Sequence, residues 1–132
     1  MAMTEFGAHE LTDEHMRVFR DAVRDFLKEF GITDWCYDFE WITDPENQAL
    51  AEVDNLPQDR VALFKLNKTW TEKPTNYHLK RTAFHEVMEL LLSPLRGLAC
   101  SDWLKGEPRT ALLNMEAHII IRRLENARWG AW

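Results

Sequence analysis

Cysteine is scarce in this chain. Only Cys36 and Cys100 occur among 132 residues, and neither belongs to a Cys-x-x-Cys pair. A disulfide framework and a sulfur-ligated zinc site are therefore not expected, and both thiols read as reduced and packed. Basic charge is short too. Sixteen Lys and Arg face 22 Asp and Glu, for a net charge of −6, so the basic footprint of a nucleic-acid binder is missing. No run of about 18 apolar residues exists to cross a membrane. The first residues lack the basic start and apolar stretch of a signal peptide, which points to a cytoplasmic protein. Repeats, low-complexity runs and a glycine-rich phosphate loop are also absent.

What is present describes one soluble domain over residues 1–132. Hydrophobic residues make up 45% and charged residues 29%, and the aromatics are 6 Trp, 7 Phe and 2 Tyr. That balance is ordinary for a globular chain, with a core built from large side chains. Residues 1–10 carry no pattern and are expected to be mobile. Thr12 followed by acids reads as a helix start, apolar residues recur at helical spacing from Val18 to Phe30, and Gly31 ends the helix. Trp35 to Thr43 alternates as a half-buried strand. Gln48 to Asp54 is a weaker strand and Arg60 to Asn67 a third. Their short connections predict a three-stranded antiparallel meander. A helix capped by Thr75 or Asn76 runs to Leu92, an irregular segment follows from Ser93-Pro94 to Gly106, and a last helix starts at Pro108. The class is α+β, in the order α-β-β-β-α-α with the meander packed on helices.

The chemistry concentrates in Arg81-Thr-Ala-Phe-His-Glu-Val-Met-Glu-Leu-Leu-Leu92. His85 and Glu89 are four residues apart, one helical turn on the same face, where two side chains grip one metal ion. Glu86 points about 100° away, beside such an ion and not on it, where a general base is wanted. This is the logic of the His-Glu-x-x-His zinc helix with Glu in the last place. The plain alternative is a solvated ion pair at this spacing, worth roughly 0.2–0.5 kcal/mol.

A third ligand has to come from the last helix. Glu116 sits among Leu112, Ile119 and Ile120, where a carboxylate needs a partner or a metal; Arg123 is its plain partner. His118 shares an arc with Asn114, Arg122 and Glu125 that reads as polar and solvated. Ligand chemistry favours His118, since two His and one Glu form a usual catalytic zinc set. Glu116 would give a harder site suited to manganese or iron. Wheel geometry ranks Glu116 slightly first, and His78 is a weaker candidate.

The element order, together with His-Glu-Val-Met-Glu-Leu-Leu-Leu and Glu-Ala-His-Ile-Ile-Ile-Arg-Arg-Leu-Glu-Asn, resembles the minimal zincin-like metallopeptidases, both SprT-like and small phage-encoded ones. The likeness spans roughly residues 11–128, with Glu89 as its departure. It implies a zincin-like fold, a divalent metal (zinc, or else manganese or iron) on His85, Glu89 and Glu116 or His118, and Glu86 activating water against a peptide bond. A peptide or protein is the expected partner, in the host cytoplasm if phage-encoded. The competing expectation is a catalytically inactive scaffold of this type that binds or assembles proteins.

Overall fold

The computed structural model describes residues 8–99 and 108–131. Its elements are β1 (His9–Glu10), α1 (Asp13–Glu29), β2 (Cys36–Ile42), β3 (Ala51–Leu56), β4 (Val61–Asn67), β5 (Thr69–Trp70), α2 (Asn76–Ala99) and α3 (Pro108–Trp129). The class is α+β, with three helices and a small mixed sheet. No helix among the described residues is long and apolar enough to cross a membrane.

Helix α1 begins where its sequence signals. Thr12 is the N-cap: its hydroxyl accepts from the His15 amide, and the Thr12 amide donates back to His15 Nδ1 at 2.9 Å. This is a reciprocal capping box with an imidazole in the place usually held by Glu or Gln. Asp13 and Glu14 in the first turn and Lys28 in the last complement the helix dipole. Gly31 takes φ of 69° just past the end, a backbone region glycine enters without a steric penalty. The apolar stripe of α1 packs on α2, with Phe26 and Phe84 edge to face at 5.4 Å.

The sheet is not the antiparallel meander expected from loop lengths. Its order is β2-β4-β3, with β2 parallel to β4 and β3 antiparallel to it. β4 takes the centre, with Ala62, Phe64 and Leu66 buried on one face. The connection from β2 to β3 passes the end of β4 and is held there by Asn67. The buried Asn67 side chain donates to the carbonyls of Asn47 at 2.9 Å and Ala49 at 2.7 Å, and its amide to Leu50 O at 2.9 Å. Buried carbonyls need such donors, so one side chain sets the path of the loop. The second strand also starts later than its alternation suggested, at Ala51 instead of Gln48.

Three further expectations are corrected. Residues 9 and 10 are not patternless: they pair with Thr69 and Trp70, while residues 1–7 lie outside the described residues. Cys36 is exposed, not packed; Cys100 lies outside the described residues. Helix α2 does not stop at Leu92 but runs through Pro94 to Ala99. A proline there removes the amide that would bond the carbonyl four residues earlier. Ser93 Oγ donates to that carbonyl, Leu90 O, at 2.9 Å, so the turn continues. The irregular segment therefore begins later, and residues 100–107 lie outside the described residues.

The core joins α1, α2, the sheet and one side of α3 through Phe19, Val23, Phe64, Leu79, Val87 and Ile121. Each such side chain stabilises the fold by about 1.5–3 kcal/mol through burial. Trp70, also fully buried, donates its indole N–H to Leu50 O at 3.1 Å. That bond places the strand leading into β3 beside α2 and forms one wall of the cleft described next.

Candidate functional site

Thr75 caps the start of helix α2, its hydroxyl accepting from the His78 amide at 3.1 Å. The helix buries Leu79, Ala83, Phe84, Val87 and Leu90. Leu91 and Leu95 are 44% and 65% exposed. The buried face is therefore rotated toward Glu86, which is itself buried. His85 and Glu86 line a cleft of about 550 Å³, with Leu50 and Ala51 from the strand side and Glu125 from α3.

Three acids meet His85. Its Nδ1 is 2.5 Å from Glu125 Oε2, and its Nε2 is 3.5 Å from Glu89 Oε1. The first is a short charge-assisted hydrogen bond; the second is a charge contact too long to count as one. Burial opposes the imidazolium, but the contacts with Glu125 and Glu89 and the charge of Glu86 outweigh it, and the pKa is pushed up to about 10. Glu125 and Glu89 are correspondingly held below the usual carboxylate range: burial raises both, but His85 and the neighbouring arginines overcome it. Glu86 goes the other way. Burial first, then the charges of Glu89, Glu52 and Glu125, push it up to about 7 against the pull of His85. A carboxylate poised near neutrality is suited to taking and giving a proton.

Helix α3 presents Ala117, Ile121 and Glu125 as its buried positions. Of the arc read as solvated, Glu125 alone is buried against α2, while Asn114, His118 and Arg122 are exposed. His118 Nδ1 lies 3.4 Å from Glu89 Oε1, while Glu116 is exposed. His78 stands apart in the first turn of α2, with its ring facing Lys73 O at 3.5 Å. The structure brings His85, Glu86, Glu89 and His118 together and leaves Glu116 and His78 out. Glu125 was missed by the sequence reading. The only available signal was its spacing of seven residues from His118, two turns on the same side.

Glu89 Oε1 bears on whether a metal fits. It is buried and has no hydrogen-bond donor, although two imidazole nitrogens flank it. Donors about 2.1 Å from a tetrahedral ion lie roughly 3.4 Å from one another, matching the 3.5 and 3.4 Å seen here. His85 also has the carboxylate on its far nitrogen that metal-bound imidazoles commonly carry. Among the described residues, however, no group of three or more His, Cys, Asp or Glu side chains is already arranged to hold a metal ion. The contacts are pairwise through Glu89, and the His118 side chain is half exposed, at 56%. The donor set fits a divalent ion chemically once the ion displaces the proton that His85 holds up to about pH 10. Searches against family models, curated proteins and solved structures find no match for the chain.

Proposed function

We propose that the protein is a zincin-like metal-dependent hydrolase acting on peptides. His85, Glu89 and His118 would hold a divalent ion, zinc before manganese or iron. The observation that carries this reading is the undonated, buried Glu89 Oε1 between two imidazole nitrogens. A divalent ion held there supplies Lewis acidity to a carbonyl and makes water easier to deprotonate.

The chain's own residues supply the rest. Glu86 lines the cleft with a pKa of about 7. It accepts a proton from the attacking water and returns it to the departing amine. Glu125 holds His85 by its far nitrogen, so the near nitrogen faces Glu89. Leu50 and Ala51, at the entry to the edge strand β3, line the same cleft. They offer a wall along which an extended peptide can lie with main-chain hydrogen bonds.

A second reading has its own support. Glu89 Oε2 is 2.5 Å from Arg96 Nη1, a pairing that serves a non-catalytic scaffold equally well. Two measurements separate the readings. Metal content by mass spectrometry, after loading with zinc or manganese, should be stoichiometric in wild type and fall in His85→Ala and Glu89→Ala. Digestion of a peptide library should then proceed with wild type and drop about 10²–10⁴-fold in Glu86→Gln, the usual contribution of a positioned base, with metal retained. No metal in wild type overturns the metal site. Metal without cleavage moves the assignment to the scaffold.

A further inference from the structure

We infer that Arg81 is a positioning residue for this site, fixing His85 through Glu125 and making its orientation depend on the docked end of α3. The inference rests on the proposed metal site for its purpose, though not for its geometry. Arg81 is 2% exposed. A buried guanidinium persists only with its donors satisfied, and here they are spread over one small region. Nε donates to Glu125 Oε1 at 3.2 Å and Nη2 to Asn126 Oδ1 at 2.9 Å; Nη1 donates to Gly130 O at 2.7 Å and to the Tyr77 hydroxyl at 3.3 Å. Tyr77 in turn donates to Trp129 O at 2.5 Å.

The two oxygens of Glu125 are divided. One takes Arg81, and the other takes His85 Nδ1. An imidazole can rotate about its outer bond, and a carboxylate on one nitrogen decides where the other points. Glu125 can do this only while its own direction is held. Arg81 holds it with a rigid planar fork, a task a lysine ammonium does not reproduce. Without Arg81, a buried carboxylate would be left with one partner. The relay also ties residues on α2 to backbone at the far end of α3, so loosening residues 126–130 should disturb His85 more than 40 positions away in sequence.

The test uses the full chain without metal. The Nδ1 proton of His85, in a short bond to a carboxylate, should resonate far downfield by NMR and exchange slowly with water. Glu125→Gln should abolish that signal. Arg81→Lys should shift it and speed its exchange, and Arg123→Gln, an exposed control on the same helix, should leave it alone. Zinc affinity, by competition with a coloured chelator, should fall about 10–100-fold in the first two, the range for residues that orient a ligand. A folded Arg81→Lys with an unmoved signal overturns the relay. If Arg81→Lys does not fold, Tyr77→Phe decides, because it removes one partly exposed hydroxyl, and an unmoved signal there overturns the relay too. If wild type takes up no metal, the functional reading falls while the proton signal still judges the relay.

Discussion

Arg96 Nη1 and Glu89 Oε2 stand 2.5 Å apart, so the carboxylate proposed as a metal ligand is already shared with a cation. Arg96 also reaches Asn114 Oδ1 on α3, at 3.2 Å from Nη2. A fixed positive charge beside a ligand repels a dication and draws electron density from the carboxylate. Arg96→Gln should therefore raise zinc affinity roughly tenfold, equivalent to about 1.4 kcal/mol, and slightly lower the stability of the metal-free protein. Chelator competition and a denaturant melt measure the two. Weaker zinc binding in Arg96→Gln would show that Arg96 orients Glu89 instead of competing for it.

The last helix yields a direct comparison. His118 faces Glu89, and Glu116 is exposed. His118→Gln should lower metal affinity by at least about 10-fold, and Glu116→Gln should leave it within error. Isothermal titration with zinc checks both, and a larger effect at Glu116 would reverse the ligand assignment.

Asn67 predicts a stability effect remote from the site. Asn67→Ala removes the donors to Asn47 O and Ala49 O and the acceptor for the Thr69 amide. Each buried polar group left unpaired costs about 1–3 kcal/mol, so a loss of about 2–4 kcal/mol is expected by guanidinium unfolding. A change below about 0.5 kcal/mol would mean the loop keeps its path without Asn67.

The capping box of α1 should respond to pH. His15 has its pKa held below the ordinary value, chiefly because burial disfavours the imidazolium, with the charge of Glu14 opposing. Its Nδ1 accepts from Thr12 N, which a protonated ring cannot do. The unfolded chain takes up the proton first. This contribution is therefore fully present above about pH 6.5 and is lost as the pH falls through the lower folded value. Glutamine accepts at every pH, so wild type should lose up to about 1 kcal/mol relative to His15→Gln on acidification, the size of a typical cap. Parallel stability curves for the two proteins would refute the role.

Local signals were the legible part of this sequence. Thr12, Gly31 and Thr75 mark chain reversals and helix starts through their own side chains or the lack of one, and the structure uses all three there. The alternation of Tyr37, Phe39 and Trp41 identified β2 because a strand's period of two is intrinsic to its backbone. Strand order was not legible. Alternation says which face is apolar, never which neighbour lies at the edge, and the bond from Asn67 to Asn47 spans 20 residues. Pro94 misled because its compensation, Ser93 to Leu90, is visible only in three dimensions. Glu125 was hidden because α3 carries apolar side chains around its whole circumference, with Leu112, Met115, Ile120 and Leu124 exposed. The wheel therefore had no single inward face to point to. That His85 and Glu89 share one side of α2 was legible from spacing alone, since one helical turn is fixed by backbone geometry.

The parallel pairing of β2 with β4 has a kinetic meaning. β3 and β4 are joined by a tight turn in which Asp59 and Arg60 amides bond back to Leu56 and Pro57 carbonyls, so this hairpin can close early and by itself. β2 precedes both in the chain, yet among the described residues its only ladder is with β4, 25 residues on by register, Cys36 opposite Val61. It has nowhere to add until the hairpin exists, and closing that longer loop is an entropic expense met late. During synthesis the aromatic strand Cys36–Ile42 therefore emerges first and waits, unpaired, for its template. Refolding should be slowed by mutations in the 56–61 turn, and unfolding should be hastened by mutations in β2.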